Sequence, residues 1–124
     1  MTAERRYSVE EADATLPDLR ERLARIRAAR QTMLREAEVV RDRVVVDGGG
    51  TNVDRSYWAS TDTLRSELEH LAAESILLRD PETGLVDFPG EREGEPVYLC
   101  WRLGEDRVGH WHPLDTGFSG RRPL

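Results

Sequence analysis

Apolar residues recur at alternating intervals of three and four positions along the first part of the chain. This heptad spacing puts them on one face of an α-helix, and Arg30 occupies the one step at which an apolar residue is missing. It predicts a helix from Leu16 to about Val46, roughly 46 Å long at 1.5 Å per residue. A compact domain of this length is only about 35 Å across, so we expect the helix to protrude or to find a partner. The apolar positions are Leu16, Leu19, Leu23, Ile26, Met33, Ala37, Val40 and Val44.

The residues before this row of heptad positions, which we call the seam, carry a helix start signal. Ser8 and Glu11 have the spacing of a capping box, in which the hydroxyl and the carboxylate satisfy each other's free backbone N–H groups. We expect a short helical stretch to follow. Pro17 then either kinks it or occupies the first turn of the next helix, where a missing N–H costs nothing.

A glycine-rich break at 47–52 precedes a second predicted helix, from about Arg55 to Leu78. Its seam residues are Tyr57, Thr61, Leu64, Leu68, Leu71 and Leu78. Two such helices joined by a glycine loop predict an antiparallel hairpin over 8–78. Both helices also have apolar residues off the seam. We therefore expect a sheet to cover one side and two hairpins to pair as a homodimer. The off-seam residues are Leu34, Val39, Ala72, Ile76 and Leu77.

The remainder, 84–124, alternates short β-prone runs with turn residues and ends in a glycine-rich tail. It predicts three strands: Leu85–Phe88, closed by Pro89, then Val97–Leu103, then Val108–His112. Helices followed by strands give an α+β fold, here a single domain with a long antiparallel helical hairpin and a small antiparallel sheet.

Composition narrows the classes of function. The net charge of −6 argues against a nucleic-acid binder, because phosphate neutralisation needs a concentrated positive field. A lone cysteine excludes an internal disulfide and is typical of a reducing compartment. The N-terminus has no apolar run of signal or membrane length. We expect a cytoplasmic protein with no membrane partner.

Two glycine-containing motifs resemble known functional sites but lack residues that those sites require. Residues 44–51 resemble a strand feeding a phosphate loop, but the helical seam runs into them and the chain has no lysine for a Walker loop. Residues 117–120 resemble a nucleophile elbow, but Arg121 stands where a glycine is required. We assign no catalytic residue and leave open whether the protein is an enzyme.

The densest chemistry lies in the last quarter of the chain. Cys100, His110, His112 and Asp115 offer thiolate, imidazole and carboxylate ligands suited to zinc or iron. Pairing Leu103 with Val108 would place Cys100 on the face opposite the histidines, whereas pairing Leu103 with Arg107 would place it on theirs. The apolar match favours the first register, which weakens the metal site.

A second candidate set could line a pocket for a small molecule or a protein partner. Its acidic members could equally cap turns, and its tryptophans could equally be core anchors. The set comprises Asp87, Trp101, Glu105, Trp111, Asp115 and Arg121.

Several short motifs together resemble an uncharacterised prokaryotic family, domain of unknown function 2203. They are Tyr7 to Ala12 with Leu16-Pro17, Gly84 to Pro89, Cys100-Trp101 with Leu103-Gly104-Glu105, Trp111-His112, Asp115, Gly117-Phe118, Gly120-Arg121 and Pro123. The resemblance brings no established activity, substrate or cofactor.

These observations predict a cytoplasmic, oligomeric binding or interaction module without catalysis of its own. The alternative is a metal-binding protein with His112 as principal ligand, in the class of hydrolases or oxidoreductases.

Overall fold

Two helices followed by a five-stranded antiparallel sheet make up the chain, as a computed structural model shows over residues 4–47 and 55–124. The predicted α+β fold is confirmed, with two more strands than expected. Neighbours along the chain are neighbours in the sheet, in the order β1-β2-β3-β4-β5. The elements are α1 Val9–Asp47, α2 Arg55–Ala73, β1 Leu77–Asp80, β2 Leu85–Arg92, β3 Glu95–Arg102, β4 His110–Pro113, a 3₁₀ turn Phe118–Gly120, and β5 Arg122–Pro123. The predicted glycine loop between the helices lies outside the described residues, apart from Asp47.

The first helix begins at the predicted capping box. The Glu11 amide donates to Ser8 Oγ at 3.1 Å, and the Ser8 amide donates to Glu11 Oε1 at 2.9 Å. From Val9 the helix then continues through Pro17 for 39 residues without a break. The expectation that Pro17 begins a separate helix is therefore wrong, because Pro17 lies inside one continuous helix.

The second helix ends earlier than its apolar pattern predicts. Ser75 adopts the left-handed conformation, with φ of 59°. Its amide donates to Ala72 O at 3.1 Å, and the Ile76 amide donates to Leu71 O at 2.9 Å. This is a Schellman motif, which satisfies the last helical carbonyls and turns the chain away from the helix axis. The residues predicted as the final helical turn instead enter β1.

A buried carboxylate links the two helices. Glu67 of α2 is only 8% exposed and accepts hydrogen bonds from Arg22 at 2.9 Å and Arg25 at 2.8 Å, both on α1. Arg22 is also bonded to Asp18 at 2.7 Å. Burial alone would raise the pKa of Glu67, but the hydrogen bonds from Arg25 and Arg22 outweigh it and lower that pKa.

The second strand is longer than predicted because Pro89 does not end it. β1 pairs with β2 only at 85–87, so Pro89 stands where β2 is an edge and needs no ladder donor. The Pro89 carbonyl accepts a hydrogen bond from the Tyr7 amide at 2.8 Å. β2 and β3 are joined through Glu93 and Gly94, whose positive φ angles of 54° and 80° suit a two-residue hairpin turn.

The core lies between the helices and one face of the sheet. α1 contributes a buried stripe that α2 extends, and β2 and β3 contribute the facing apolar side chains. Its central members are Leu16, Leu19, Leu23, Ile26, Leu71, Val86, Phe88, Leu99 and Trp101. Among the described residues, no helix is long and apolar enough to cross a membrane.

Candidate functional site

The sheet face that points away from the helices carries the polar side chains of the middle strands. Asp87 on β2 lies opposite Cys100 on β3, and Cys100 lies opposite His110 on β4. His112 is two residues further along β4, opposite Tyr98. Side chains two residues apart share a face of a strand. The fold therefore brings the lone cysteine and two histidines together with Asp87.

The register between β3 and β4 is the one that the sequence favoured less, in which Cys100 lies on the same face as the histidines. The pairing of Leu103 with Val108 is wrong: the observed pairs continue towards Leu103 opposite Arg107, and Cys100 shares the histidines' face. The apolar match does not set the register because the strands stop before they reach it. β3 ends at Arg102 and β4 begins at His110.

The residues between β3 and β4 form a loop that is held by its own contacts. The Glu105 amide donates to Arg102 O at 3.0 Å, and Glu105 Oε1 accepts from the Arg102 amide at 2.7 Å. The Val108 amide donates to the Asp13 carboxylate of α1 at 2.7 Å, and the Val108 side chain is buried in the core. Val108 therefore anchors the loop to the helix instead of starting the strand.

His112 and Asp87 form a buried pair at the centre of the polar face. His112 is 1% exposed and Asp87 is 2% exposed. Nε2 of His112 lies 3.0 Å from both carboxylate oxygens of Asp87. Nδ1 lies 2.7 Å from the Pro113 carbonyl oxygen. Because a carbonyl only accepts hydrogen bonds, Nδ1 carries a hydrogen, and Nε2 is the nitrogen turned to the carboxylate.

Cys100 completes a cluster of three. One ligand atom from each of Asp87, Cys100 and His112 lies within 4.8 Å of the others, and all three residues are buried. Burial, together with the negative charge of Asp87, raises the pKa of the Cys100 thiol to about 12. The free thiol is therefore not an activated nucleophile. Both His112 nitrogens already face oxygen atoms, so His112 is not placed to act as the base for that thiol.

Arg79 on β1 supports the cluster from the side. Its Nε donates to Asp87 Oδ2 at 2.9 Å, and its guanidinium lies 5.0 Å from the centre of the Tyr98 ring. The hydrogen bond to Asp87 raises the pKa of Arg79. Arg79 was not among the predicted site residues, because the second helix was predicted to reach Leu78 and thus to cover the first half of this strand.

A second polar cluster lies beside the first and includes His110. Arg121 donates to Glu105 Oε2 at 2.6 Å and to Nδ1 of His110 at 2.5 Å. Burial raises the pKa of Glu105, but the hydrogen bonds from Arg121 and the Arg102 amide outweigh it and lower that pKa. His110 thus shares the face of Cys100 while its Nδ1 lone pair is engaged by Arg121.

A cleft of about 380 Å³ opens over the buried three. Arg79 and Leu85 line it from the sheet, and residues 114–118 line it from the segment after β4. Asp115 is exposed at its edge. Gly117 has φ of 74° and ψ of −163°, a region open essentially to glycine alone.

The residues predicted as a pocket divide among three places. Asp87 and Asp115 line the cleft, while Glu105 and Arg121 form the neighbouring ion pair. Trp101 is fully buried on the helix-facing side, where its Nε1 donates to Glu105 O at 3.1 Å. Trp111 lies opposite Leu99 and packs against that same core. The tryptophans are therefore not walls of this cleft.

Comparison with known proteins gives one match. Residues 5–124 match the family described as "Uncharacterized conserved protein (DUF2203)". Curated proteins and solved structures give no match. Since the match covers nearly the whole chain, this protein belongs to the DUF2203 family.

Proposed function

We propose that this protein binds a transition-metal ion, zinc or iron, between Asp87, Cys100 and His112. The observation that carries the proposal is the pairing of His112 with Asp87. Nδ1 faces a carbonyl and so carries a hydrogen; in the form with a single ring hydrogen, Nε2 presents a lone pair to two carboxylate oxygens 3.0 Å away. Electron pairs that face one another at this distance need a cation between them, which is either a proton or a metal ion.

The surroundings favour a metal ion. Metal-binding histidines almost always donate their second ring N–H to a carboxylate, a backbone carbonyl or water, and here the Pro113 carbonyl takes that role. Zinc–ligand distances of about 2.0–2.3 Å in a tetrahedral site separate nitrogen and oxygen ligands by roughly 3.3 Å. The observed separation of 3.0 Å is that of an ordinary hydrogen bond, and it would widen by about 0.3 Å to hold the ion. Cys100 would supply the soft third ligand as a thiolate, releasing its proton to solvent when the ion binds.

Three protein ligands leave a fourth coordination position, and the cleft lies beside it. This arrangement is shared by metal-dependent enzymes and by proteins that only bind, and the bound ion is common to both. His110 and Asp115 are left out of the ligand set, because Arg121 engages His110 Nδ1 and Asp115 stands exposed at the cleft edge. A buried cysteine that forms no disulfide suits a reducing compartment, and on this ground we propose the cytoplasm as the protein's location.

The test is metal stoichiometry measured by native mass spectrometry on protein purified without chelator. We expect one zinc or iron ion per chain in the wild type and in His110→Ala, and none in His112→Ala. Cobalt substitution adds a second readout, since a thiolate–cobalt absorption band must vanish in Cys100→Ser. A wild-type protein that stays free of metal at micromolar zinc would overturn the proposal and assign the Asp87–His112 contact to a proton.

A second feature favours an oligomeric module. One side of α2, about a quarter-turn from the side that meets α1, carries an apolar stripe in which Leu68 and Ala72 are exposed, while Thr61 and Leu64 are half-buried and Leu64 also packs against the core. It consists of Thr61, Leu64, Leu68 and Ala72, and Leu68 is 40% exposed. We propose that a second copy of this chain covers the stripe and makes a homodimer.

The stripe is self-complementary in an antiparallel pairing. Leu64 of one copy then meets Leu68 of the other, and Thr61 meets Ala72, so large residues meet at the centre and small ones at the ends. Arg65 and Glu69 flank the stripe on its outer side and would form reciprocal ion pairs. A second copy of this chain is therefore a sufficient partner for the stripe.

Sedimentation equilibrium tests the dimer. Leu68→Asp should give a monomer, and Leu34→Asp, which charges an exposed leucine away from the stripe, should leave the dimer intact. Arg65→Glu should weaken the dimer, and the added change Glu69→Arg should restore it. A monomeric wild type, or a dimeric Leu68→Asp, contradicts the pairing.

A further inference from the structure

The mouth of the cleft is flanked by exposed apolar side chains. Leu114 is 52% exposed and Phe118 is 42% exposed, and both line the cleft. Leu85 adds a half-buried apolar wall from β2. Exposed hydrocarbon next to a polar centre is the composition of small-molecule sites, in which the ligand covers the apolar wall.

Arg79 supplies a positive charge at the same cleft. Its Nε is bound to Asp87, and its guanidinium lies 5.0 Å from the centre of the Tyr98 ring. These contacts fix the guanidinium while leaving some of its five N–H donors unused. The side chain is 44% exposed, so a ligand in the cleft can reach it.

We infer that the cleft takes a small monocarboxylate with an apolar tail. One carboxylate oxygen fills the open position of the bound ion, and the other accepts a hydrogen bond from Arg79. The tail lies along Leu85, Leu114 and Phe118. This inference rests on the metal site proposed above.

Charge and size restrict the class of ligand further. With a divalent ion bound, the charges of the ion and Arg79 are balanced by those of Asp87, the Cys100 thiolate and Asp115. A single anionic group is therefore favoured over a phosphate dianion. The cleft volume of about 380 Å³ is near the lower end of the range for ligand pockets.

The experiment uses the zinc-loaded protein and isothermal titration with acetate, butyrate and hexanoate. A fully buried methylene group strengthens binding about fourfold, and a half-covered one about twofold. We expect hexanoate to bind about 16-fold more tightly than acetate, which differs by four methylene groups. Phe118→Ser and Leu114→Ser should each flatten this increase and leave acetate binding unchanged.

Two controls separate the outcomes. Leu124→Ser removes an exposed apolar side chain outside the cleft and should keep the full increase. Hexylamine, whose apolar tail is one methylene group longer and whose charge is opposite, should not compete with hexanoate. Full zinc occupancy with equal affinity for all three acids, or competition by hexylamine, overturns the inference alone. Failure to bind zinc, measured first on the same sample, overturns the metal site and the inference with it.

Discussion

Replacing Glu67 with glutamine tests the buried link between the helices. A hydrogen bond to a charged group contributes about 1.5–3 kcal/mol, and Glu67 accepts two of them. The full sum does not apply, because the Arg25 side chain is 45% exposed and its released charge is hydrated. Arg22 also keeps its bond to Asp18. We expect Glu67→Gln to lower the free energy of unfolding by about 2 kcal/mol at pH 7.

The pKa of Glu67 determines how the effect of this substitution changes with pH. The pKa of Glu67 is lower in the folded protein than its ordinary value of 4.5. The stabilisation is therefore complete above pH 4.5 and is lost as the pH falls through the folded-state pKa. The difference between wild type and Glu67→Gln should accordingly be largest at neutral pH and shrink in acid.

Urea unfolding at pH 7 and at acidic pH measures both quantities. Glu21→Gln, which alters an exposed glutamate of α1, is the matched control and should stay within about 0.5 kcal/mol of the wild type. A difference between wild type and Glu67→Gln that is the same at both pH values would refute the reasoning, since the charge of Glu67 would then contribute nothing.

Three further outcomes follow from local geometry and from the metal site. Gly84→Ala should cost about 2–4 kcal/mol in urea unfolding, because φ is 70° and a Cβ would lie 2.7 Å from a leucine side chain; Gly94→Ala, with φ of 80° but open space, should cost about 1 kcal/mol. Asp13→Ala should cost about 1–3 kcal/mol by removing the acceptor of the Val108 amide, and Asp13→Asn should recover part of that loss; equal losses would count against the bond. Zinc at 100 times its dissociation constant should stabilise the wild type by about 2.7 kcal/mol in thermal unfolding and leave Cys100→Ser unchanged; equal shifts would argue for unspecific binding.

The helical part of the fold was predictable because its signals are local. The capping box at Ser8 and the heptad pattern depend on residues within a few turns of one another. The capping box is confirmed, and the heptad pattern is confirmed by burial from Leu16 to Ile26, whereas Ala37 is exposed. The end of α2 was not predictable in the same way. Its C-terminal cap uses Ser75 in a conformation that usually calls for glycine, so the sequence carried no stop signal there.

The site was only partly predictable because strand register decides it. Alternation placed His110 and His112 on one face, but the position of Cys100 depended on where β3 and β4 stop pairing. That point is set by the bond from Val108 to Asp13, which is far away in the sequence. Asp87 joined the cluster through pairing between β2 and β3, which no local pattern specifies.

The bond between Asp13 and Val108 also bears on how the chain folds as it is synthesised. The two residues are 95 positions apart, so at about 5–20 residues per second the carboxylate of α1 waits roughly 5–20 s for its partner. For most of that interval, until β1 and β2 have been made, the buried side of α1 has no strand to cover it. The nascent helix must stay soluble through its charged faces and its early contacts with α2, and only the last quarter of the chain completes the core.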